Sequence, residues 1–140
     1  MIAGALALAL SAAFAGAAAY VSFVEQPARL SLGDEALLSE WAPSDQRGGA
    51  LMAALALVSA LCGLANYFET RDWLWAIGAL IILMSWPYVF FAMVPTNNRI
   101  LAVKGGEVGA ARDLVRLWGW LEYGQVAIGV VASAVFISAL

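Results

Sequence analysis

Residues 73–98, WLWAIGALIILMSWPYVFFAMVPTNN, carry no charged side chain. A helix needs about 20 apolar residues to cross a hydrocarbon core about 30 Å thick. Residues 1–24 and 48–68 are equally free of charge, and 117–140 contain only Glu122. The sequence therefore predicts an all-α fold, an integral membrane four-helix bundle forming a single transmembrane domain over residues 1–140. The predicted spans are about 3–26, 48–68, 73–94 and 117–139.

The composition agrees with a membrane protein and excludes several classes of function. Hydrophobic residues make up 64% of the chain and charged residues only 12%, whereas a soluble domain has about 25% charged residues. The net charge is −3 without a basic tail, so the lipid bilayer is the expected partner and nucleic acid is not. Histidine is absent and Cys62 is the single cysteine, so we predict no metal site and no intrachain disulfide.

The segments between the spans carry further local signals. Residues 34–41 are amphipathic and predict a short helix lying in the membrane interface, ended by Pro43. Pro27 is expected to break the first helix and Pro95 the third, whereas Pro87 should only kink the third. We expect the fourth helix to begin near Glu107. The connection between the second and third spans is tight, which makes those helices antiparallel neighbours.

The first span and the loop charges predict packing and orientation. No Lys or Arg precedes the first apolar run, so we expect a membrane helix there rather than a signal peptide. Ala9, Ala13 and Ala17 are spaced for close helix packing, either within the chain or in a homo-oligomer formed through this helix. Most Lys and Arg residues lie in the first and third loops, which predicts both termini outside the cytoplasm. The expected location is a bacterial inner membrane.

Glu122 is the sharpest candidate for chemistry. It lies one turn beyond Trp118, and ionisable residues within a membrane span usually face the interior of the bundle. Gln125 and Gly129 follow on the same helical face. The alternative is a hydrated carboxylate at the level of the lipid headgroups, with a structural role only.

A second group of polar residues lies at the end of the first helix and a third at the end of the third helix. Glu25 and Arg29 are four residues apart and can pair. In a four-span bundle these ends meet the start of the fourth helix at one rim, so a site is predicted there, with ordinary helix caps and surface ion pairs as the alternative. The candidate substrate-binding residues are Arg29, Asn97, Asn98, Arg99, Gln125 and Gln26, and the candidate catalytic residues are Glu122 and Glu25.

Three short motifs in this order give the chain a family resemblance. Glu25-Gln26-Pro27-Ala28-Arg29 follows the first helix, Pro95-Thr96-Asn97 the third, and Trp118-Gly119 opens the fourth. The chain resembles the DUF1772 membrane family, which includes the anthrone oxygenases, over essentially its whole length. Many members have His where this chain has Glu122, often with Arg at the position of Gln125, and commonly His at the position of Gln26.

The resemblance implies a four-helix membrane protein that oxidises an anthrone to an anthraquinone with O₂ and needs no dedicated cofactor. Here Glu122 would remove a proton, with Glu25 as the alternative base, and Arg29 and Asn97 would stabilise the resulting oxyanion. The expected substrate is a lipophilic phenolic or quinol-type small molecule. Two other functions stay open: a non-enzymatic protein that binds a lipid or hydrophobic molecule or assembles with others, and a proton-coupled transporter.

Overall fold

Four long helices form the chain. The computed structural model describes residues 1–103 and 108–140, and only the backbone of Val108. Each helix is long and apolar enough to cross a membrane, which confirms the predicted all-α membrane bundle. The helices are α1 Ile2–Leu30, α2 Asp34–Thr70, α3 Trp73–Leu101 and α4 Val108–Ser138. The predicted start of the fourth helix near Glu107 lies outside the described residues.

The first turns of α2 replace the separate interfacial helix that the sequence predicted. α2 runs unbroken from Asp34 to Thr70 with Pro43 inside it. An internal proline removes one backbone hydrogen bond, but Leu37 and Trp41 lie in this part of α2 and are 0% and 1% exposed. The burial of these two side chains offsets the cost of the proline, so the helix continues through it.

Irregular turns accompany the prolines of α1 and α3. A π-helical segment at Val21–Glu25 precedes Pro27, and a second at Val89–Met93 precedes Pro95. The wider turn lets each helix pass its proline and continue to Leu30 and Leu101, so the expected breaks do not occur. Near Pro87 the regular helix stops at Leu83 and resumes at Ser85, while the kink expected at Pro87 itself stays a prediction.

Hydrogen bonds at the helix ends join α4 to the end of α1 and the start of α2, and they cap α3 after the turn that follows α2. Arg112 on α4 donates from Nε to Asp34 Oδ1 and from Nη1 to the Leu30 carbonyl, each at 2.7 Å. Arg71 adopts a left-handed conformation with φ 61°, and Asp72 accepts a hydrogen bond from the Leu74 amide at 3.0 Å to cap α3. This confirms the tight turn between the second and third helices.

Two clusters of buried side chains divide the bundle. The termini-side cluster lies toward the chain termini and the α2–α3 turn, and the loop-side cluster lies toward the α1–α2 connection and the start of α4. The termini-side cluster is built on Ala7, Phe14, Ala18, Met52, Ala56, Ala60, Trp75, Ala79, Ile82, Ala132 and Phe136. The loop-side cluster is built on Leu37, Trp41, Met93, Ile100, Val115 and Trp118.

The face that α1 presents to the bundle differs from the predicted one. Ala9 and Ala13 are exposed and Ala17 is half-buried, so of the two expected packing modes the one within the chain does not use this stripe as its main face. The buried residues of the helix are instead Gly4, Ala7, Ser11, Phe14 and Ala18. A homo-oligomer through the outward alanines stays a prediction.

Candidate functional site

Glu122 lies inside the bundle. It is 4% exposed, as is Gln125 one turn further along α4. Trp118, Glu122 and Gln125 share one helical face because they are spaced by four and three residues. All three line a cavity of about 50 Å³, which α2 and α3 complete with Asp45 and Asn97 among other residues. The buried location that the sequence predicted for Glu122 is therefore present.

Polar atoms around this cavity lack partners. Asn97 Oδ1, Trp118 Nε1 and Gln125 Oε1 are buried and make no hydrogen bond with the described part of the chain. The Glu122 carboxylate likewise makes no side-chain hydrogen bond within residues 1–103 and 108–140. A buried polar group without a partner costs about 1–3 kcal/mol. One N–H donor, two amide acceptors and a carboxylate thus converge on one small space, an arrangement suited to a polar group of a ligand.

Arg29 organises a separate network beside the cavity. Its side chain is completely buried and ion-paired with Glu25, with Nη2 2.7 Å from Oε1, and with Glu40 through Nε. Nη2 also donates to Ser44 Oγ at 2.9 Å, and Nη1 donates to Gln26 Oε1 at 3.0 Å. Ser44 donates in turn to Glu25. Because protein acceptors occupy these donors, Arg29 is poorly placed to stabilise an oxyanion of a ligand.

Trp118 connects the Arg29 network with the cavity. The Arg29 guanidinium carbon lies 5.2 Å from the centre of the Trp118 ring, a cation–π contact. Trp41 packs edge-on against the same ring at 6.1 Å. The two contacts fix the indole plane while Trp118 lines the cavity with its N–H unpartnered. The chain thus holds a rigid hydrogen-bond donor close to Glu122.

Gln26 supports this arrangement from outside the cavity. Its Nε2 donates to the Val115 carbonyl of α4 at 2.8 Å. The side chain lies across Gly119, where an added Cβ would come within 2.5 Å of Nε2. A glycine next to Trp118 is therefore needed for Gln26 to reach α4, and Gln26 holds α1 against α4.

The sequence-predicted residues separate into three groups. Glu122, Gln125 and Asn97 line the cavity, whereas Glu25, Gln26 and Arg29 form the adjoining network. Asn98 and Arg99 are exposed, and Asn98 lines an open groove at the loop-side rim. The described hydrogen bonds do not join Arg29 directly to Asn97. Arg29 and Asn97 instead bond to consecutive residues of α2: Arg29 donates to Ser44, and Asn97 donates to Asp45 at 3.1 Å.

Sequence reasoning missed Ser44, Asp45 and Trp118. Ser44 and Asp45 lie between the predicted interfacial helix and the second predicted span, and Trp118 enters the sequence argument only as a neighbour of Glu122 and as part of a family motif. Trp118 is in fact 3% exposed. Its spacing of four residues from Glu122 was the signal that could have found it, since residues i and i+4 lie on one helical face.

Two larger spaces adjoin the cavity. An apolar chamber of about 240 Å³ lies between α2 and α3 and shares Gly49, Val89 and Gln125 with the cavity. An open groove of about 590 Å³ at the loop-side rim shares Asp45 and Asn97 with it. The Asp45–Asn97 hydrogen bond therefore separates the cavity from the rim, and Gln125 stands where the cavity joins the apolar chamber.

Possible metal ligands are sparse around these spaces. Within residues 1–103 and 108–140, no three Cys, Asp or Glu side chains are grouped so as to hold a metal ion. The cavity itself carries two carboxylates, Asp45 and Glu122, with the amides of Asn97 and Gln125. These groups are suited to binding hydrogen-bonding substituents and to moving protons.

Comparisons with known proteins agree with the motifs. The profile of the anthrone oxygenase family matches residues 41–135. The chain belongs to the anthrone oxygenase family. It is 31% identical to an anthrone oxygenase of Claviceps purpurea over 129 residues, covering 81% of this chain and 74% of the relative. No solved structure matches the chain significantly.

Two further relatives carry the same description. An anthrone oxygenase of Aspergillus novofumigatus is 31% identical over 98 residues, covering 61% of this chain and 59% of the relative. One of a Cryptosporiopsis species is 26% identical over 123 residues, covering 81% and 71%. These relatives are fungal, so the bacterial inner membrane and the outward termini stay predictions, while the four apolar helices agree with an integral membrane protein.

Proposed function

We propose that this protein is a membrane oxygenase that oxidises a lipophilic phenolic ring system of the anthrone type with O₂. The observation that carries the proposal is the Glu122 carboxylate, 4% exposed, in a polar cavity joined to an apolar chamber. Membership of the anthrone oxygenase family supports the same reaction class. The substrate would place its rings in the chamber and its reacting carbon near Glu122.

The proposed base is Glu122. The methylene carbon of an anthrone lies opposite a ring carbonyl, so loss of one proton gives an anion whose charge rests largely on the carbonyl oxygen. The Glu122 carboxylate accepts that proton, as general bases do when positioned beside an acidic carbon. Its burial among the helices keeps bulk water from competing for the reactive carbanion.

Trp118 replaces Arg29 as the proposed oxyanion donor. Its indole N–H is buried beside Glu122 and makes no close hydrogen bond, with the Asp45 carboxylate as a neighbouring acceptor, whereas Arg29 donates to Glu25, Glu40, Gln26 and Ser44. A fixed donor aimed at developing negative charge lowers the barrier because it needs no reorganisation during the reaction. Asn97 Oδ1 and Gln125 Oε1 are suited to accept hydrogen bonds from phenolic hydroxyls of the substrate.

The oxygen chemistry balances without an added reductant. The substrate carbanion donates electrons to O₂, and a C–O bond forms to give a peroxide anion, which takes back the proton held by Glu122. Removal of the second hydrogen from the same carbon as a proton then breaks the O–O bond and leaves a carbonyl. The expelled hydroxide combines with that proton to form water. One O₂ is consumed, and the CH₂ group becomes C=O plus one H₂O.

The chamber suits a flat, fused ring system. Phe14, Trp86 and Val89 supply apolar walls, and Gly49 and Ala53 leave room between α2 and α3. Its volume of about 240 Å³, together with the adjoining cavity, approaches the lower end of the range of about 300–1,000 Å³ for small-molecule sites. A lipophilic molecule of a few fused rings matches this space better than a lipid with two acyl chains.

The test is O₂ consumption by the protein in lipid nanodiscs with a hydroxylated anthrone, after subtraction of the uncatalysed oxidation. Glu122→Gln keeps the side-chain volume and should lower turnover about 100- to 10,000-fold, the range for loss of a general base, with an unchanged unfolding temperature. Trp118→Phe should lower kcat about 100-fold and change KM little.

Trp75→Phe is the matched control. Trp75 is 3% exposed, as Trp118 is, but it lies in the termini-side cluster and lines neither the Glu122 cavity nor the apolar chamber, so its variant should keep near-normal turnover. Full activity of Glu122→Gln would exclude the proposed base. Tight binding of the anthrone without any rate above background would instead identify a binding protein for lipophilic molecules.

A further inference from the structure

The mouth of the apolar chamber is assigned between α2 and α3, because its two exposed lining residues, Gly49 and Trp86, lie on these helices. Trp86 stands at this mouth and is 47% exposed, while its Nε1 donates to the Ala53 carbonyl across the gap at 3.2 Å. Gly49 also borders the chamber and is exposed, and a Cβ added there meets nothing within 4 Å. The chamber is therefore bounded at its mouth by one aromatic side chain and one glycine.

The short segment that carries Trp86 is irregular on both sides. Ser85–Tyr88 is a four-residue helical piece, preceded by the interruption at Met84 and followed by the π-helical segment Val89–Met93. Its two ends are held by different helices, because Trp86 bonds to α2 and Tyr88 Oη donates to the Leu121 carbonyl of α4 at 2.5 Å. Irregular helical turns are common at functional sites, and Trp86 lies between two such interruptions of α3.

We infer that the lipophilic substrate reaches Glu122 directly from the bilayer, between α2 and α3, and that Trp86 and Gly49 determine which ring systems pass. The inference rests on the proposed function for the identity of the occupant, a flat phenolic ring system. Opening requires the single Trp86–Ala53 hydrogen bond to break, a small cost compared with separating two packed helices. The missing side chain at Gly49 provides the width of the passage.

The chemistry of the two openings favours this route. The other connection of the Glu122 cavity leads past the Asp45–Asn97 hydrogen bond to the rim groove. Among apolar side chains, that groove presents the Asp45 carboxylate and the three amides of Gln46, Asn97 and Asn98, which an apolar ring system would have to desolvate. The mouth between α2 and α3 instead presents Trp86, Ala53 and Gly49 to lipid, where an apolar molecule is already dissolved.

The experiment measures association of a hydroxylated anthraquinone, which resembles the product and is not turned over, with the protein in lipid nanodiscs by stopped-flow fluorescence quenching. Gly49→Leu should slow association at least 10-fold, because its side chain enters the open space at the mouth. Gly16→Leu is the matched control, since a Cβ at Gly16 also meets nothing within 4 Å and Gly16 borders none of the described cavities. It should leave the rate unchanged.

Trp86 variants test selection by the same passage. Trp86→Ala should speed association several-fold and admit four-ring phenols that the wild-type protein excludes. The association rate of Trp86→Phe should lie between those of the wild-type protein and Trp86→Ala, because phenylalanine keeps an aromatic ring but loses the hydrogen bond to Ala53. An unchanged association rate in Gly49→Leu would overturn the inference, as would a fall in rate caused only by Asn98→Trp at the rim groove.

The assay separates this inference from the proposed function. Association that depends on Gly49 without any oxygen consumption by the wild-type protein supports the passage and removes the oxygenase. Oxygen consumption that is indifferent to both Gly49→Leu and Trp86→Ala supports the oxygenase and removes the passage. Failure of every tested tricyclic phenol to bind removes both.

Discussion

The two halves of this bundle are built from the same four helices but differ in what fills the space between them. In the termini-side half, glycines face aromatic rings: a Cβ on Gly63 or Gly78 would meet the Phe136 ring at 3.0 Å or 2.5 Å. In the loop-side half, the interior holds the Arg29 network and the Glu122 cavity. The termini-side half is filled by closely packed side chains, whereas the loop-side half contains a cavity lined by polar groups.

This difference indicates a division of labour along the helices. Without a hydrophobic drive between helices in lipid, close packing of small residues supplies association energy. The termini-side half provides it through its alanines and glycines. The loop-side half is then able to keep unpartnered polar atoms and a cavity, which cost stability and are expected where function resides. Three experiments test this division.

The largest effect on stability is expected from Arg29→Met. This change leaves Glu25 and Glu40 without their cation and removes the contact with the Trp118 ring. We expect a loss of about 3 kcal/mol in the free energy of unfolding, at the low end for breaking a buried ion pair, because both carboxylates keep partial access to water. Unfolding in detergent micelles, followed by tryptophan fluorescence, measures it.

The exposed Arg47 gives the control for this prediction. Arg47→Met removes the same charge from the same end of the molecule and should change stability by no more than about 0.5 kcal/mol. If the two variants unfold alike, the Arg29 network has no structural role, and the loop-side half is held together by its apolar cluster alone.

The four helices were predictable from the sequence because a run of about 20 residues without charged side chains is a strong signal that does not depend on the rest of the fold. The helix ends predicted at Pro27, Pro43 and Pro95 were wrong. Whether a helix continues past a proline depends on the burial of side chains against other helices. Leu37 and Trp41 keep α2 continuous through Pro43. No pattern within residues 34–47 specifies their packing partners, which come from α3 and α4.

The site was predictable only where one helix decides it. Glu122 and Gln125 follow from the period of α4, and both line the cavity. The role of Arg29 depends on which acceptors the fold brings to it. Two of these come from the first turns of α2: Glu40 from the predicted interfacial helix and Ser44 from the segment after it. The catalytic and binding roles of all these residues stay predictions.

A smaller loss of stability is expected from Gly129→Ala, at a position where α4 packs against the backbone of α1. The added Cβ would lie 2.8 Å from Ala15 Cα, a backbone atom that moves only if the helices separate. We expect a loss of about 1–3 kcal/mol, the usual range for overpacking. Gly16→Ala meets nothing within 4 Å and should cause no loss, so equal unfolding of the two variants would contradict the shape-based packing of this half.

The smallest effect is expected at the hydrogen bond between Ser11 on α1 and Ser133 on α4, whose hydroxyl oxygens are 2.9 Å apart. Polar contacts between membrane helices average about 0.6 kcal/mol in double-mutant cycles, and Ser11 also donates to the Leu8 carbonyl of its own helix. The cycle of Ser11→Ala, Ser133→Ala and the double variant should therefore give a coupling free energy of about 0.6 kcal/mol. Oxygen consumption in nanodiscs should stay at the wild-type rate in all three variants, because neither serine borders the Glu122 cavity or the apolar chamber. A strong loss of turnover would mean that polar groups of the termini-side half take part in the chemistry. It would contradict the division between a packed termini-side half and a functional loop-side half.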